Sequence, residues 1–485
     1  MTWSRKFRTH WVVSAFFCFL YLCHHYSSII LAAPPLLIQP GALVCPEPHL
    51  QDNTLMVIRT GATEILEKLP IHFQTVLKYV SDYVIYADME EDINGHHVYN
   101  ILDQVNQPLD DATPEFELYN QLQSGGREGL EYKTTFGSGP GGALENLGWK
   151  LDKWKFLPMV DRALQHRPNA KWFVFVEPDT YMMWQNMLEY LSKFDASQPH
   201  YLGKHMYIGD VLFAHGGSGF ALSRPAADKV SNIWRQDIEA WNLYTKESWA
   251  GDMVLGKALK DVKVNLFSAF PHLQGDSLTA IDWNISKFGR EPWCFYPATF
   301  HHVTKLEIAM LWIFEQEWHR RNLGGRITLR FRDIFKALIY PQLRPERSNW
   351  DNMSDGTKYS DKALENLSGG DRARLTPTER EAQFSFEKCK AACESISTCI
   401  QFSYSPGECS ISNELRLGHT ADLLCSEYSD AAGSCIESGD KRGKDSINTQ
   451  EIGLIHSGWV MDRVSNYVQE LDRSCDGLEG NDWVT

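Results

Sequence analysis

The stretch Lys171-Trp-Phe-Val-Phe-Val-Glu-Pro-Asp-Thr-Tyr181 falls into two halves. Residues 171–176 are mostly aromatic or β-branched, the composition of a buried strand. Glu177 and Asp179 follow at once, separated by Pro178, which ends ladder pairing and fixes its own φ. The two carboxylates therefore fall where a strand passes into a loop. In open α/β sheets, ligands bind in the crevice outside the carboxyl ends of the strands. Two acids there suit a hard divalent ion that also holds phosphate oxygens. Acids that are simply solvated are the plain alternative, because acid-x-acid is a weak pattern.

Upstream, Leu55–Thr60 reads as the first strand of an α/β domain, with Thr63 capping a helix through Lys68. A second strand at Tyr83–Ala87 ends in Asp88, completing a βαβ signature. Arg59, Thr60 and Asp88 thus lie at strand ends. Residues 89–143 are polar and turn-rich, and close on Gly137-Ser-Gly-Pro-Gly-Gly142, either a phosphate cradle or only a loop. Leu144–His166 has helical spacing and carries Lys150, Lys153 and Lys155, whose ordinary place is solvent.

Downstream, a helix at Met182–Phe194 and short strands at His200–Gly203 and Ile208–Phe213 precede Gly216-Gly-Ser-Gly219. Three glycines in four positions form a tight turn where backbone approaches a ligand or another strand. A helix at Pro225–Tyr244 is followed by one at Met253–Leu259, for which Asp252 is a natural cap. An unmetallated carboxylate of this kind also suits a general base. After a strand at Val262–Phe267 comes Phe300-His-His-Val303, whose histidines are core, surface or metal-ligand candidates.

The chain has 485 residues and a formal charge of -15, from 47 Lys+Arg against 62 Asp+Glu, which argues against nucleic acid as a partner. Arg5, Lys6 and Arg8 precede an apolar segment, Trp11–Ala33, that reads as a signal-anchor after a short cytosolic tail at 1–10. A cleaved signal peptide is the alternative, and both send the chain into the secretory lumen. Seven of the eleven cysteines lie between Cys389 and Cys475, a disulfide framework in an exported chain. Sequons at Asn284, Asn352 and Asn366 fit that address. Residues 34–53 read as a Pro-rich stem and 341–382 as an interdomain linker.

In their order, these segments resemble the Fringe-like branch of glycosyltransferase family 31, over residues of about 55 to 305. The layout resembles the fungal group in which this domain precedes a PAN/apple-like module. Phe175-Val-Glu-Pro-Asp-Thr-Tyr181 is similar to the family's DxD segment. His215-Gly-Gly-Ser-Gly-Phe-Ala-Leu-Ser223 is similar to its glycine-rich acceptor-side segment, here Gly216, Gly217, Ser218 and Gly219. Gly251-Asp-Met-Val-Leu-Gly256 resembles the Glu-Asp-x-x-x-Gly element, and Phe300-His-His-Val303 the late Phe-His segment.

The resemblance implies a GT-A, Rossmann-like domain at 54–340 that binds a UDP-sugar with Mn2+ or another divalent cation. It implies Asp179 and His301 as metal ligands, Glu177 at the metal or the ribose, and Asp252 as base. Arg59, Thr60, Asp88 and Lys153 become nucleotide-sugar contacts. The activity implied is inverting transfer of a sugar such as galactose or GlcNAc to a glycan or glycoprotein hydroxyl, with a β, in this family β1,3, linkage. The implied setting is a single-pass type II protein of the Golgi membrane, or a secreted one if the leader is cleaved. Two departures stand out: Glu177-Pro178 within the DxD segment, and Gly251 where the family has an acid. They keep open a non-catalytic, glycan- or protein-binding alternative. Residues 383–475 resemble a disulfide-rich α+β PAN/apple module, which implies bridges Cys389–Cys409 and Cys393–Cys399.

Overall fold

The computed structural model describes residues 48–105, 113–129, 147–322, 328–421, 455–475 and 482–485. The leader, residues 34–47 of the expected stem, the Gly137–Gly142 run, Cys425 and Cys435 lie outside these residues. The end of that stem is corrected, because Pro48–Gln51 forms a helix whose Gln51 is buried and accepts from Trp184 Nε1 at 2.7 Å. Among the described residues no helix is long and apolar enough to cross a membrane.

Eight described strands form the main sheet: β1 (Thr54–Arg59), β2 (Tyr83–Ala87), β3 (Glu91–Ile93), β4 (His96–Asn100), β5 (Trp172–Val176), β6 (Tyr201–Gly203), β7 (Phe220–Ser223) and β8 (Leu266–Ser268), in spatial order β8-β6-β7-β5-β1-β2-β4-β3. β1 runs parallel to β2 and β5, while β7 is antiparallel to β5. Every residue of β1 and β5 is buried, because both faces of the sheet are covered. On one face Leu55, Val57, Phe173 and Phe175 share a core with Leu157, Val230 and Val254. On the other, Met56, Ile58, Val174 and Val176 pack with Met187 and Leu188. Strands buried on both sides need continuous apolar runs rather than alternation, which is why they stand out in the sequence.

Local differences from the sequence reading have local causes. The turn-rich stretch after Asp88 contains the β3–β4 hairpin, turned by Asn94 and Gly95, both at positive φ (52° and 83°). Asn-Gly at such a turn is a hairpin signal in its own right. The helix expected at Leu144–His166 is two helices, Leu147–Asp152 and Phe156–His166, joined by a 3-10 turn at Lys153–Lys155. Thr63 does not cap the helix Ile65–Lys68; Glu64 stands at that position, without a side-chain cap bond.

The expected linker is corrected more broadly. Residues 341–382 supply two strands of a five-stranded sheet: β9 (Arg347–Ser348), β10 (Thr357–Tyr359), β11 (Gln401–Ser405), β12 (Glu408–Ser412) and β13 (His456–Trp459), ordered β9-β13-β11-β12-β10. Strands of two or three residues are too short to show a period, so their pairing is invisible in sequence. The sequon at Asn352 is corrected with it. Its side chain is fully buried, donates to the Phe402 and Gly458 carbonyls at 3.1 and 3.4 Å, and accepts from Ser354, leaving no room for a glycan. Asn366 is exposed, and Asn284 is partly exposed and donates to the Asn413 carbonyl.

Disulfides join Cys389 to Cys409 and Cys393 to Cys399, stapling the helix Phe386–Ser395 at two positions one turn apart. A third, Cys294–Cys475, spans 181 residues and ties the helix Met461–Cys475 to the segment just before Thr299–His301. Trp293 donates to Asp472 beside it, and Lys336 pairs with the same carboxylate. Cys294→Ser is expected to destabilise the fold by roughly 2–5 kcal/mol. A fall in thermal midpoint is the measurement, and reductant on the native chain is expected to lower it at least as far, because it opens the other two bridges as well.

Candidate functional site

The carboxyl end of β5 delivers Glu177 and Asp179, and one short ladder brings their partners. Thr299–His301 pairs antiparallel with Thr180–Met182, setting His301 opposite Thr180, and the Val303 amide donates to the Asp179 carbonyl at 3.0 Å. His301 Nε2 then lies 3.3 Å from Asp179 Oδ1 and 3.9 Å from Glu177 Oε2. Successive residues of a strand face opposite ways. His302 avoids this by entering the left-handed region, φ 57°, so that its Nδ1 also comes to 3.9 Å from Asp179. The ligand atoms of Asp179, His301 and His302 all lie within 4.8 Å of one another.

Cations already balance these acids. Arg59 pairs with both Glu177 and Asp152, its guanidinium 4.2 Å over the Phe156 ring. Lys68 Nζ sits 2.9 Å from Asp179 Oδ2. Burial pushes Glu177 up, but Arg59 and His301 outweigh it and hold its carboxyl at about 2. Asp179 is likewise raised by burial and held well below the usual carboxylate range by His301 and Lys68. Burial lowers His301, yet the two carboxylates carry it to about 9.

The donor chemistry fits a divalent cation of the Mn2+ type. Asp179 Oδ1 and both His301 ring nitrogens are buried without a hydrogen-bond partner. Buried polar atoms are otherwise nearly always paired, and carboxylate with imidazole is a borderline donor set. Lys68, within reach of Asp179, is not a site candidate in the sequence, and His302 is one only as half of the histidine pair, without a role implied by the resemblance. Neither carries a local signal beyond its residue type.

The glycine turn is the second wall. The Gly217 carbonyl accepts from Thr180 Oγ1 at 2.6 Å, and a Cβ at Gly217 would collide with the His301 ring. Gly217→Ala is therefore expected to displace His301 and weaken divalent-ion binding at least about tenfold, the scale of a disturbed ligand support. Calorimetric titration with Mn2+ checks it. Ser218 is fully buried, its hydroxyl on His215 Nδ1 at 2.7 Å and its carbonyl on Thr299 Oγ1. Gly219 has φ 75°, the turn's one left-handed position. The Gly216 amide donates to Asp252 Oδ2 at 2.9 Å.

Asp252 is not a cap. It lies within the helix Gly251–Asp261, whose N-cap is Ala250, and its Oδ1 accepts from the Met253 amide. Burial raises its carboxyl to about 6, against the pull of those amides and of Arg59. A Cβ at Gly251 would strike the Phe156 ring and the Lys153 backbone. The position where the sequence lacks an acid is thus already filled.

At the ends of β1 and β2 the lysine is Lys155. Its buried Nζ donates to the Thr60 carbonyl at 2.7 Å and lies 3.2 Å from Asp88 and from Asp152. Asp88 is fully buried and also accepts from the Ala62 amide, while the Thr60 hydroxyl is buried without a partner. Lys153 points elsewhere, to Glu115 and the carbonyls of Lys246 and Ser248.

Residues 150–281 match the Fringe-like family model. That span contains β5, both acids, the glycine turn and Asp252; Arg59, Asp88, His301 and His302 lie outside it. Among solved structures, one similar chain is described as a glycosyltransferase involved in the glycosylation of the major capsid of PBCV-1. It shares 14% identity, covers 54% of this chain and 99% of its own length, and has a TM-score of 0.26.

Proposed function

We propose that the protein is a metal-dependent, inverting glycosyltransferase of GT-A type. It moves a sugar from a UDP-sugar to a hydroxyl of a glycan or glycoprotein, with a β, by its resemblance β1,3, linkage. The observation that carries this is the pair of buried ligand atoms, Asp179 Oδ1 and His301 Nε2, 3.3 Å apart at the end of β5 and without a hydrogen-bond partner, one glycine turn away from Asp252. The Fringe-like match over residues 150–281 supports the class.

Asp179 and His301, with His302 beside them, would hold the cation. When bound, a divalent ion supplies positive charge against the diphosphate leaving group. Arg59 orients Glu177, and Lys155 orients Asp88, at the strand ends where a nucleotide would lie. The Asp252 carboxylate takes the proton of the acceptor hydroxyl. The acceptor oxygen bonds to the anomeric carbon as the bond from that carbon to the phosphate oxygen breaks, so configuration inverts and UDP leaves. Each Asp252 oxygen holds one backbone amide and keeps a lone pair for the proton. In this reading the disulfide-rich unit is a PAN/apple-like accessory module, and the chain is held in the Golgi membrane by residues 11–33.

A second reading is a non-catalytic binding protein. It is favoured by the cations already seated on both acids, Arg59 on Glu177 and Lys68 on Asp179. Calorimetry of UDP with residues 34–485, in Mn2+ and in EDTA, separates the two. Metal-dependent micromolar binding, followed by turnover of a UDP-sugar, is expected of the transferase. Absence of binding in both buffers would overturn it.

A further inference from the structure

Beside the glycine turn lies a basic cluster that the proposed chemistry does not use. Lys204 follows β6, and its carbonyl accepts from the His215 amide at 2.8 Å. Its side chain is 22% exposed, and its closest carboxylate among the described residues, Asp276, stands 3.9 Å off and is itself 56% exposed. A largely desolvated ammonium costs free energy unless a counter-charge meets it. Here the partner is too far for a hydrogen bond. Burial accordingly lowers the Lys204 ammonium, with Asp276 opposing and Lys287 assisting.

The surroundings are built around that ammonium. A Cβ at Gly275 would collide with Lys204 Nζ and would stand 3.1 Å from Ser218 Oγ, so the missing side chain leaves the space the lysine occupies beside the turn. His205 lies next to Lys204 and is lowered by burial, then by Lys287 and Lys204. Its ring meets Phe288 edge-on at 4.9 Å, and Phe288 is 64% exposed. Two lysines, a histidine and an exposed aromatic ring form one basic, aromatic patch in a chain of net charge -15. The segment 215–219 joins the patch to the chemistry: Asp252 binds Gly216, His301 abuts Gly217, and Lys204 abuts the space beside Ser218.

We propose that Lys204, supported by Lys287 and His205, recognises a negatively charged group on the acceptor sugar, a carboxylate, sulfate or phosphate, while the Phe288 ring packs against the sugar. The proposal rests on the transferase reading for the word acceptor, but the binding it describes is measurable without turnover. Exposed aromatic faces take the apolar side of a sugar ring, and an anion placed on a poorly paired ammonium gains a charge-assisted hydrogen bond. The donor diphosphate is the other anion the site could meet, and the experiment separates them.

The test titrates the disulfide-intact chain with methyl β-glucuronide and with methyl β-glucoside, the same ring without the charge, and separately with UDP in Mn2+. The native chain is expected to bind the glucuronide at least about tenfold tighter, the scale of one charged hydrogen bond. Lys204→Met removes that preference and leaves UDP affinity within about twofold, and Lys204→Arg keeps the preference. Because Lys204 is largely buried, Lys287→Glu, at an exposed loop position, serves as a second variant; it too is expected to lower glucuronide affinity. The proposal is overturned if the native chain shows no preference. It is equally overturned if Lys204→Met weakens UDP as much as glucuronide, which would make the lysine a diphosphate ligand. Failure of UDP to bind the native chain, with glucuronide preference intact, would sink the transferase reading alone.

Discussion

Asp179→Ala is expected to abolish Mn2+-dependent UDP binding, a loss of at least about a hundredfold, beyond what a disturbed supporting contact costs. Among the described residues, Asp179 is the only acid in the cluster of possible metal ligands, the other members being His301 and His302. Glu177 is a poor substitute, because Arg59 already claims it and because its nearer approach to His301 is 3.9 Å. Removing Asp179 also strips Lys68 of one of its two carboxylates and leaves its ammonium beside the ligand position, which disfavours a divalent ion. The measurement is calorimetry of UDP in Mn2+ and in EDTA, with thermal unfolding to confirm the fold. Asp179→Asn, which keeps the shape and loses the charge, is expected to fail in the same way. Native affinity in either variant would remove Asp179 from the metal site.

Asp252→Asn is expected to retain UDP binding and lose about 10²–10⁴ in transfer rate, the usual worth of a general base. The carboxylate touches neither Arg59 nor the histidines through a hydrogen bond; its bonds are to the Gly216 and Met253 amides. The pH profile carries the sign. Burial raises the Asp252 carboxyl to about 6, so the base is protonated below that value and transfer falls as pH drops through it. Stability runs the other way. The native state binds this proton more tightly than the unfolded chain, whose carboxyl titrates near about 4. The resulting stabilisation is full below about pH 4 and is lost as pH rises through about 6. At pH 7 Asp252→Asn removes the buried charge but turns its NH2 group on one of the two backbone amides. The two effects oppose each other, so the thermal midpoint is expected to shift little while activity is lost. A variant that transfers at the native rate would acquit Asp252 as the base.

What could be read without coordinates differs from residue to residue for physical reasons. β1, β2 and β5 were legible because strands covered on both faces must be apolar throughout, and the acids at 177 and 179 were legible because proline ends a strand. The resemblance implies Lys153 beside Arg59, Thr60 and Asp88, whereas the lysine at the β1–β2 ends is Lys155. A 3-10 turn advances three residues per turn rather than 3.6, so helical spacing could not tell which lysine of Lys153-Trp-Lys155 faces inward. His302 is a ligand candidate in the sequence by residue type alone, and the resemblance implies only His301; its left-handed φ turns it back toward Asp179, against the alternation of an ordinary strand. The third disulfide and the strands in the supposed linker depend on pairings between distant segments.

The sequence by itself determined the α/β character, the acids at a strand end, the close glycine turn and a cysteine-stapled C-terminal unit. Each is a local matter of side-chain type and spacing. Only the tertiary structure decided that Asp179, His301 and His302 converge, that Asp252 accepts from the Gly216 amide rather than capping a helix, and that Asn352 is enclosed. Convergence arises from long-range ladder pairing, and burial from what covers a residue; neither is a property of its neighbours in the chain.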